Sequence, residues 1–415
     1  MRVLCTTIGS PSHGRAQLPL LRALAAAGHE VRVATTEEVA PLFRDDDLTV
    51  ITCMPTFTPQ LFMDEEFDLG GDAPGAGAGE PDPEQQQAAM MRFMVQVLSG
   101  PMARKLREIM LPLVREFAPQ LILRDGMDLG SVLIAEELGI PQLPTPSGSS
   151  NMLNPEEIHP GLNTLREEFG LPAQESPLSV VPHGRIDYVP ASFSFARHLP
   201  GPWSYRQTVE VDRSSVLPPW VAELPTDRPL VWAAIGTALP MLQQRKEQGE
   251  EQPPELPFEF PDPVKTLQSI VEAAAKLDEC TVVVATSGIP VDTTELPPHV
   301  HLTERLPQPL LLECVDLFLT HGGFNSIREA MRTGTPLAVL PQFGDQGPNA
   351  QRVEELGLGR EITDRTPDGI AAVCRAVLAD SGAAATARRA RLAMLTLPEI
   401  EHAVADLERL VGDHA

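Results

Sequence analysis

Thr320-His321-Gly322-Gly323-Phe324-Asn325-Ser326 combines residue types that hold anions with a spacing able to present them. Leu317-Phe318-Leu319 just before it is apolar and strand-compatible, and Ile327, Ala330 and Met331 after it recur on one face of a helix. The glycine pair lets the backbone turn sharply and come close to a ligand. Asn325 or Ser326 is a residue type suited to capping the helix that follows. A helix N-terminus behind a glycine turn offers N–H groups and a partial positive charge, which suits a diphosphate. Glu329, Gly334, Pro336, Pro341, Asp345, Gln346 and Asn349 continue the pattern, and Asp345-Gln346 supplies acceptors and donors for sugar hydroxyls. At the other end of the chain His13 lies in the loop Gly9 to Gly14 after the first apolar strand. Ligands of open α/β sheets bind at that end of a strand. An imidazole of ordinary pKa, about 6.5, can take a proton near neutral pH. Asp125 ends a strand that should lie near the first, and a carboxylate at the far ring nitrogen fixes the tautomer and stabilises the imidazolium. The competing role for Asp125 is to cap the next helix. Asp128 is the alternative carboxylate. A diphosphate holder and a candidate base are thus both present in one chain.

The elements that must position these residues are legible in the hydrophobic pattern. Val3 to Ile8 reads as a strand, and Leu18, Leu21, Leu24 and Ala25 mark a helix that Gly28 ends. Val31 to Ala34 reads as the next strand. A further strand, Leu121-Ile122-Leu123, runs into Arg124-Asp125, with a helix over Ser131 to Leu138 and a strand near Ile140 to Leu143. This is how a parallel, doubly wound sheet begins. Asp64 to Glu84, rich in Gly, Pro and acidic residues, is expected to be a mobile loop. The helix after it carries Met90, Met91, Phe93, Met94 and Val97, which reads as a core stripe or as an adaptable apolar pocket. The Pro-rich stretch from Pro190 to Pro229 is expected to be an interdomain linker. Leu230 to Thr237 opens a second strand-then-glycine unit that includes Gly236 and Thr237. The polar stretch Leu239 to Pro263 is expected to be a surface loop. A helix from Val264 to Leu277 and strands at Thr281 to Thr286 and Leu317 to Thr320 complete the second half, and Ala383 to Ala415 reads as helical.

Composition narrows the function classes. A chain of 415 residues is long enough for two domains. Its 42 % apolar and 21 % charged content is that of a globular protein. A net charge of −25 repels nucleic acid phosphates, so no nucleic acid partner is expected, and an anionic ligand must be held by local features. The five cysteines, Cys5, Cys53, Cys280, Cys314 and Cys374, are scattered without a Cys-x-x-Cys pair. That speaks against a disulfide framework or a zinc site and for a reducing cytoplasm. No apolar run approaches a membrane span, and Arg2 to Ile8 is a strand pattern rather than a signal peptide. Asp45-Asp46-Asp47 reads as a solvated turn rather than a metal site, and no metal is expected.

The ordered set from Thr320 to Asn349 resembles the C-terminal donor signature of family 1 glycosyltransferases, which include bacterial enzymes that decorate or inactivate natural products. The resemblance extends over nearly the full chain. It implies an α/β GT-B architecture of two Rossmann-like, doubly wound domains facing a central cleft. It implies an acceptor domain over residues 1–205, a linker over 206–228, a nucleotide-sugar domain over 229–395, and a last helix over 396–415 that returns to the first domain. His13 matches the family's catalytic base, by its spacing to Gly28-His29-Glu30-Val31, and Asp125 matches the residue that orients it. His29 itself is expected to be a structural turn residue. The family often carries Asn-Pro where this chain has Arg15 and Ala16. The implied donor site comprises Gly236, Thr237, Arg305, Leu306, Gln308, His321, Gly322, Gly323, Asn325, Ser326, Glu329, Asp345 and Gln346. The acceptor pocket is expected at Met90, Phe93, Met94 and Ser147. Gln308 matches a position that contacts ribose or base, and Glu329 one that accepts from ribose hydroxyls in UDP-sugar users. Arg305 stands where some relatives stack a Trp on uracil. UDP is thus favoured as the nucleotide of the co-substrate, with TDP the alternative, and no further cofactor is implied. The implied partners are a nucleotide sugar and a hydrophobic small-molecule acceptor, in a monomer or homodimer. Two other readings on the same fold are a nucleotide-sugar 2-epimerase and a non-catalytic nucleotide-sugar or natural-product binding protein.

Overall fold

The computed structural model describes residues 1–9, 11–56, 83–206, 215–247, 249, 261–294 and 296–414, with side chains at all of these except 83–90, 149, 150, 238, 242, 245 and 246. The chain divides into two compact units, one of Met1–Gln207 with Pro398–Ala415, the other of Thr208–Glu251 with Phe260–Leu397.

In the first unit β1 (Arg2–Thr6), α1 (Pro11–Ala26), β2 (Glu30–Thr35) and β3 (Thr49–Thr52) are followed by α2 (Pro83–Ser99) and α3 (Pro101–Phe117). Then come β4 (Leu121–Arg124), α4 (Gly130–Leu138), β5 (Gln142–Pro144), α5 (Gly148–Met152) and α6 (Pro155–Glu168). A short pair, β6 (Ile186–Asp187) and β7 (Trp203–Ser204), completes it. Among the described residues the sheet order is β3-β2-β1-β4-β5, all parallel. Strand side chains alternate between two helical layers. Leu4, Ala34 and Ile122 face a core shared with α3, α4 and α6, whereas Val3, Cys5, Val33, Leu121 and Leu123 face α1 and the C-terminal segment.

The second unit runs β8 (Leu230–Ala234), α7 (Ala238–Glu247), α8 (Pro263–Ala275), β9 (Thr281–Ala285), β10 (Val300–Thr303), α9 (Gln308–Leu311) and β11 (Leu317–Thr320). It continues with α10 (Phe324–Thr333), β12 (Leu337–Val339), α11 (Gln346–Glu355), β13 (Gly359–Glu361), α12 (Pro367–Leu378) and α13 (Ser381–Leu395). The sheet order is β10-β9-β8-β11-β12-β13, again parallel. The order reverses on either side of β8, and such a reversal is where ligands of a doubly wound sheet bind. The last helix, α14 (His402–His414), belongs to the first unit: Ala403, Val404, Leu407 and Val411 join the core of α1, and Asp406 accepts from the Tyr205 hydroxyl at 2.8 Å.

Four expectations change. His13 is not in a loop: Pro11 opens α1, so His13 stands in the helix's first turn, and a proline is well accommodated at that first position because no N–H is needed there. The Pro-rich stretch is not a linker throughout, because Phe193, Phe195, Ala196 and Tyr205 are buried in the first unit. The surface loop expected from Leu239 begins instead as helix α7; its residues 250–260 lie outside the described residues, as do 64–82 of the loop expected before α2. Neither Asn325 nor Ser326 caps α10. Its N-cap is Gly323, which has no side chain to offer, and the two polar residues fall inside the first turn.

Candidate active site

The first unit gathers its polar side chains at the C-terminal ends of β1 and β4, adjacent parallel strands paired from Val3–Leu121 to Cys5–Leu123. His13 Nδ1 lies 2.8 Å from Asp125 Oδ2, with the histidine side chain 17 % exposed and the carboxylate wholly buried. Asp125 Oδ1 accepts the Met127 N–H at 3.0 Å, so the two oxygens have different assignments. Gly9 has φ +88°, and a Cβ there would lie 3.2 Å from His13 Cε1; a side chain would be strained and would crowd the ring.

Asp128 has a different task. Its Oδ2 accepts from Thr6 Oγ1 at 2.6 Å and Ser131 Oγ at 2.5 Å, and its Oδ1 accepts the Ser131 N–H at 3.0 Å. It therefore ties β1 to the start of α4, and burial holds its pKa above the usual carboxylate value. Thr6 Oγ1 in turn accepts the Asp125 N–H at 3.2 Å.

Two supports are not evident from motif reading. Arg124 is fully buried, and burial lowers its pKa to about 10. Its guanidinium donates to Gln142 Oε1, to the carbonyls of Asp125 and Gly126, and to that of Val180, clamping the turn that carries Asp125. Gln17 sits one helical turn after His13 and is also fully buried. Its amide donates to the Thr6 carbonyl at 3.1 Å and to Thr145 Oγ1 at 2.8 Å, docking the first turns of α1 onto the strand ends. The only signals in sequence were a cation closing an apolar strand and a lone amide beside a leucine stripe.

Of the expected acceptor residues, Phe93 and Met94 are partly buried against the core of α3, α4 and α6, which favours the core-stripe reading for them. Ser147 is buried, and the side chain of Met90 lies outside the described residues. His29 is structural, with its Nδ1 2.8 Å from the N-terminal amine.

In the second unit Gly236, His321, Gly322 and Gly323 meet at the C-terminal ends of β8 and β11, and Gln308, Ser326 and Glu329 meet along the start of α10. His321 is buried between two glycines: a Cβ on Gly236 would lie 2.3 Å from its Cε1, and one on Gly323 2.4 Å from its Nε2. Burial drives its pKa down to about 4, a hydrogen bond with the Ala234 carbonyl partly opposing, so the ring is neutral near pH 7. Gly322 has φ +86°, a conformation glycine adopts without strain. Asn349 Nδ2 holds the Gly322 carbonyl at 3.0 Å and Asp345 Oδ2 at 2.9 Å. Gln346 is buried, and its Oε1 accepts the Gln342 N–H at 2.9 Å, which fixes the side chain against the loop before α11. Gln308 Nε2 donates to Glu329 Oε2 at 2.7 Å and reaches Ser326 Oγ at 3.4 Å. Asn325 Oδ1 accepts from Arg328. Arg305 and Thr237 are exposed, and Leu306 is partly so. Among the described residues no group of three or more His, Cys, Asp or Glu side chains is arranged to hold a metal ion. Among them, too, no single helix is long and apolar enough to cross a membrane.

Residues 22–236 match the model of the erythromycin biosynthesis protein CIII-like N-terminal domain, and residues 268–410 that of the C-terminal domain. The chain belongs to this family. It is a natural-product glycosyltransferase of family 1 with the GT-B fold. The L-demethylnoviosyl transferase of Streptomyces niveus is 26 % identical over 410 residues, covering 94 % of this chain and 93 % of that one. The NDP-glycosyltransferase YjiC of Bacillus subtilis is 25 % identical over 367 residues, covering 85 % and 82 %. The solved glycosyltransferase SsfS6 of Streptomyces sp. SF2575, complexed with thymidine diphosphate, superposes with a TM-score of 0.66 at 23 % identity over 99 % of each chain. At that identity the superposition speaks for the fold. The glycosyltransferase thus carries, on one unit, a histidine–aspartate pair at its strand ends and, on the other, a glycine-lined helix N-terminus beside a Gln–Glu pair.

Proposed function

We propose that this glycosyltransferase is an inverting, metal-independent enzyme that moves a hexose or deoxyhexose from a nucleoside diphosphate sugar to a hydroxyl of a hydrophobic natural product. The observation that carries the reading is the 2.8 Å contact between His13 Nδ1 and Asp125 Oδ2 at the ends of β1 and β4. With Nδ1–H donated to Asp125, His13 Nε2 keeps its lone pair and accepts the proton of the acceptor hydroxyl. The hydroxyl oxygen then bonds the anomeric carbon from the face opposite the diphosphate. The bond from that carbon to the phosphate oxygen breaks, and the diphosphate leaves with the electron pair. The proton stays on His13, and Asp125 stabilises the imidazolium. Gly322, Gly323 and the first turn of α10 supply the partial positive charge that receives the leaving group. Because His321 is neutral near pH 7, its part is to shape the pocket wall between Gly236 and Gly323 rather than to bring a full charge.

The nucleotide is proposed to be UDP, because Glu329 lies beside Gln308 one turn beyond Ser326, where a ribose bound to a diphosphate at the helix start would fall. The alternative is TDP, favoured by the thymidine diphosphate in the SsfS6 structure. A binding protein has no use for a base paired with a buried carboxylate, whereas a 2-epimerase would use such a base at C2 of the sugar and is told apart by proton exchange there without an acceptor. The test is His13→Ala assayed for turnover and, separately, for nucleotide binding by calorimetry. Turnover is expected to vanish while the dissociation constant for the nucleotide stays unchanged. Near-normal turnover in that variant would remove His13 from the mechanism.

A further inference from the structure

Trp232 lies on β8 with its indole 1 % exposed, and its Nε1–H donates to Gln308 Oε1 at 3.1 Å. Gln308 Nε2 donates onward to Glu329 Oε2 at 2.7 Å and faces Ser326 Oγ at 3.4 Å. The two ends of this relay have opposite and fixed characters. An indole nitrogen can only donate, and a carboxylate can only accept. A glutamine amide between them has one orientation that satisfies both, with its oxygen toward the indole and its nitrogen toward the carboxylate. The flipped amide would set donor against donor at Trp232 and acceptor against acceptor at Glu329. A buried indole N–H without an acceptor is costly, so the orientation is strongly held.

We infer that Trp232 is a positioning residue for nucleotide selection: through Gln308 it fixes the rotamer of the Glu329 carboxylate and so sets the preference for a ribose over a 2′-deoxyribose. Trp232 touches no ligand in this role. Its strand, β8, adjoins β11, the strand that leads into the glycine turn, with Trp232 paired to Phe318. The relay therefore ties the carboxylate to an interior strand of the sheet, β8, held on both sides by β9 and β11, as well as to the start of α9. Ser326 and Glu329 are one turn apart on the same face of α10, so a diphosphate at the helix start brings its pentose to the residue that the relay holds. A carboxylate with a fixed plane accepts from ribose hydroxyls at little further cost in side-chain freedom. A carboxylate that wanders must first be ordered, and the deoxy sugar, with one hydroxyl fewer, loses less when that order is gone.

The inference rests on the donor-site reading, and the experiment separates the two. Calorimetry compares UDP with 2′-deoxy-UDP, which share a base and differ by one hydroxyl, on the wild-type chain, on Trp232→Phe and on Gln308→Met. The wild type is expected to favour UDP by roughly tenfold or more, the effect of one hydrogen bond to a charged acceptor. In Trp232→Phe the preference should fall to about threefold or less while deoxy-UDP affinity stays within about threefold of wild type. Gln308→Met, at a half-buried site that tolerates the exchange more readily, should collapse the preference equally, and the double variant should add nothing further. An unchanged preference in Trp232→Phe, or an equal loss of both ligands, overturns the positioning role. A wild type that does not distinguish the two nucleotides overturns ribose reading at Glu329, and the inference with it. Binding of neither overturns the donor site itself.

Discussion

Asp125→Asn tests the histidine–aspartate pair more sharply than removal of either residue, because the structure dictates which way the new amide points. Asp125 Oδ1 accepts the Met127 N–H at 3.0 Å, and Oδ2 faces His13 Nδ1 at 2.8 Å, in a side chain with no exposure. An asparagine here has one oxygen to share between two donors. With its oxygen toward Met127, its NH2 faces His13 and compels Nδ1 to act as acceptor. The ring proton then sits on Nε2, and the imidazole cannot take another from the acceptor hydroxyl. With the amide flipped, the Met127 N–H is left facing an NH2, which costs about 1–3 kcal/mol. The competent orientation is thus populated at only about one part in ten to one in a hundred. Loss of the carboxylate's interaction with the imidazolium removes about 1.5–3 kcal/mol more in the transition state. Together these predict a fall in kcat of about 10² to 10⁴, or about 3–5.5 kcal/mol of activation free energy. The same exchange in a Ser-His-Asp triad costs about 10⁴ for the same tautomeric reason. The assay is steady-state sugar transfer at saturating donor, alongside calorimetric nucleotide affinity and thermal unfolding as controls. A variant that folds, binds nucleotide and retains a tenth or more of wild-type kcat would refute the tautomer argument.

Gly323→Ala should weaken nucleotide binding by roughly tenfold or more, because a Cβ would lie 2.4 Å from His321 Nε2, so ring or turn must shift and the N–H groups of the turn move with it, at a folding cost of about 1–3 kcal/mol. Gly323 has φ −61°, so no backbone strain confuses the result, and unchanged affinity would show that the glycine turn does not hold the diphosphate. His321 also predicts a pH dependence of stability. Its pKa is about 4 folded against about 6.5 unfolded, so the unfolded chain binds more protons between those values. Its contribution is therefore complete above about pH 6.5 and is lost as pH falls toward 4, by about 3 kcal/mol in all. The stability difference between wild type and His321→Gln, measured by urea unfolding, should shrink by about that amount from pH 7 to pH 4; a constant difference would mean that the ring is not buried in its neutral form.

The periodic elements and the motifs made of neighbours along the chain are legible without the fold. Short apolar runs ending in glycine turns and followed by longer 3.6-residue stripes point to parallel strands feeding helices, because run length and the flanking glycines separate a fully buried strand from a helix where periodicity alone does not. The glycine pair at 322–323 is legible because only one residue type readily adopts the φ of +86° required at Gly322. What the sequence left open were choices between residues of like chemistry. Asp125 and Asp128 are interchangeable as letters. The register of β4 against β1 turned one toward His13 and the other toward Thr6 and Ser131. Asn325 and Ser326 looked like caps, but the chain began its helical dihedrals at Phe324, so the cap fell to Gly323. Gln346 reads in sequence as a sugar ligand, and only the fold shows that its oxygen also accepts the Gln342 N–H. Arg124, Gln17 and Trp232 carried no motif at all. Their partners are distant in sequence and were selected by burial, which penalises an enclosed donor that finds no acceptor. Local propensity is written in neighbouring residues, whereas the pairing of buried polar groups exists only once the sheet has closed and water has left.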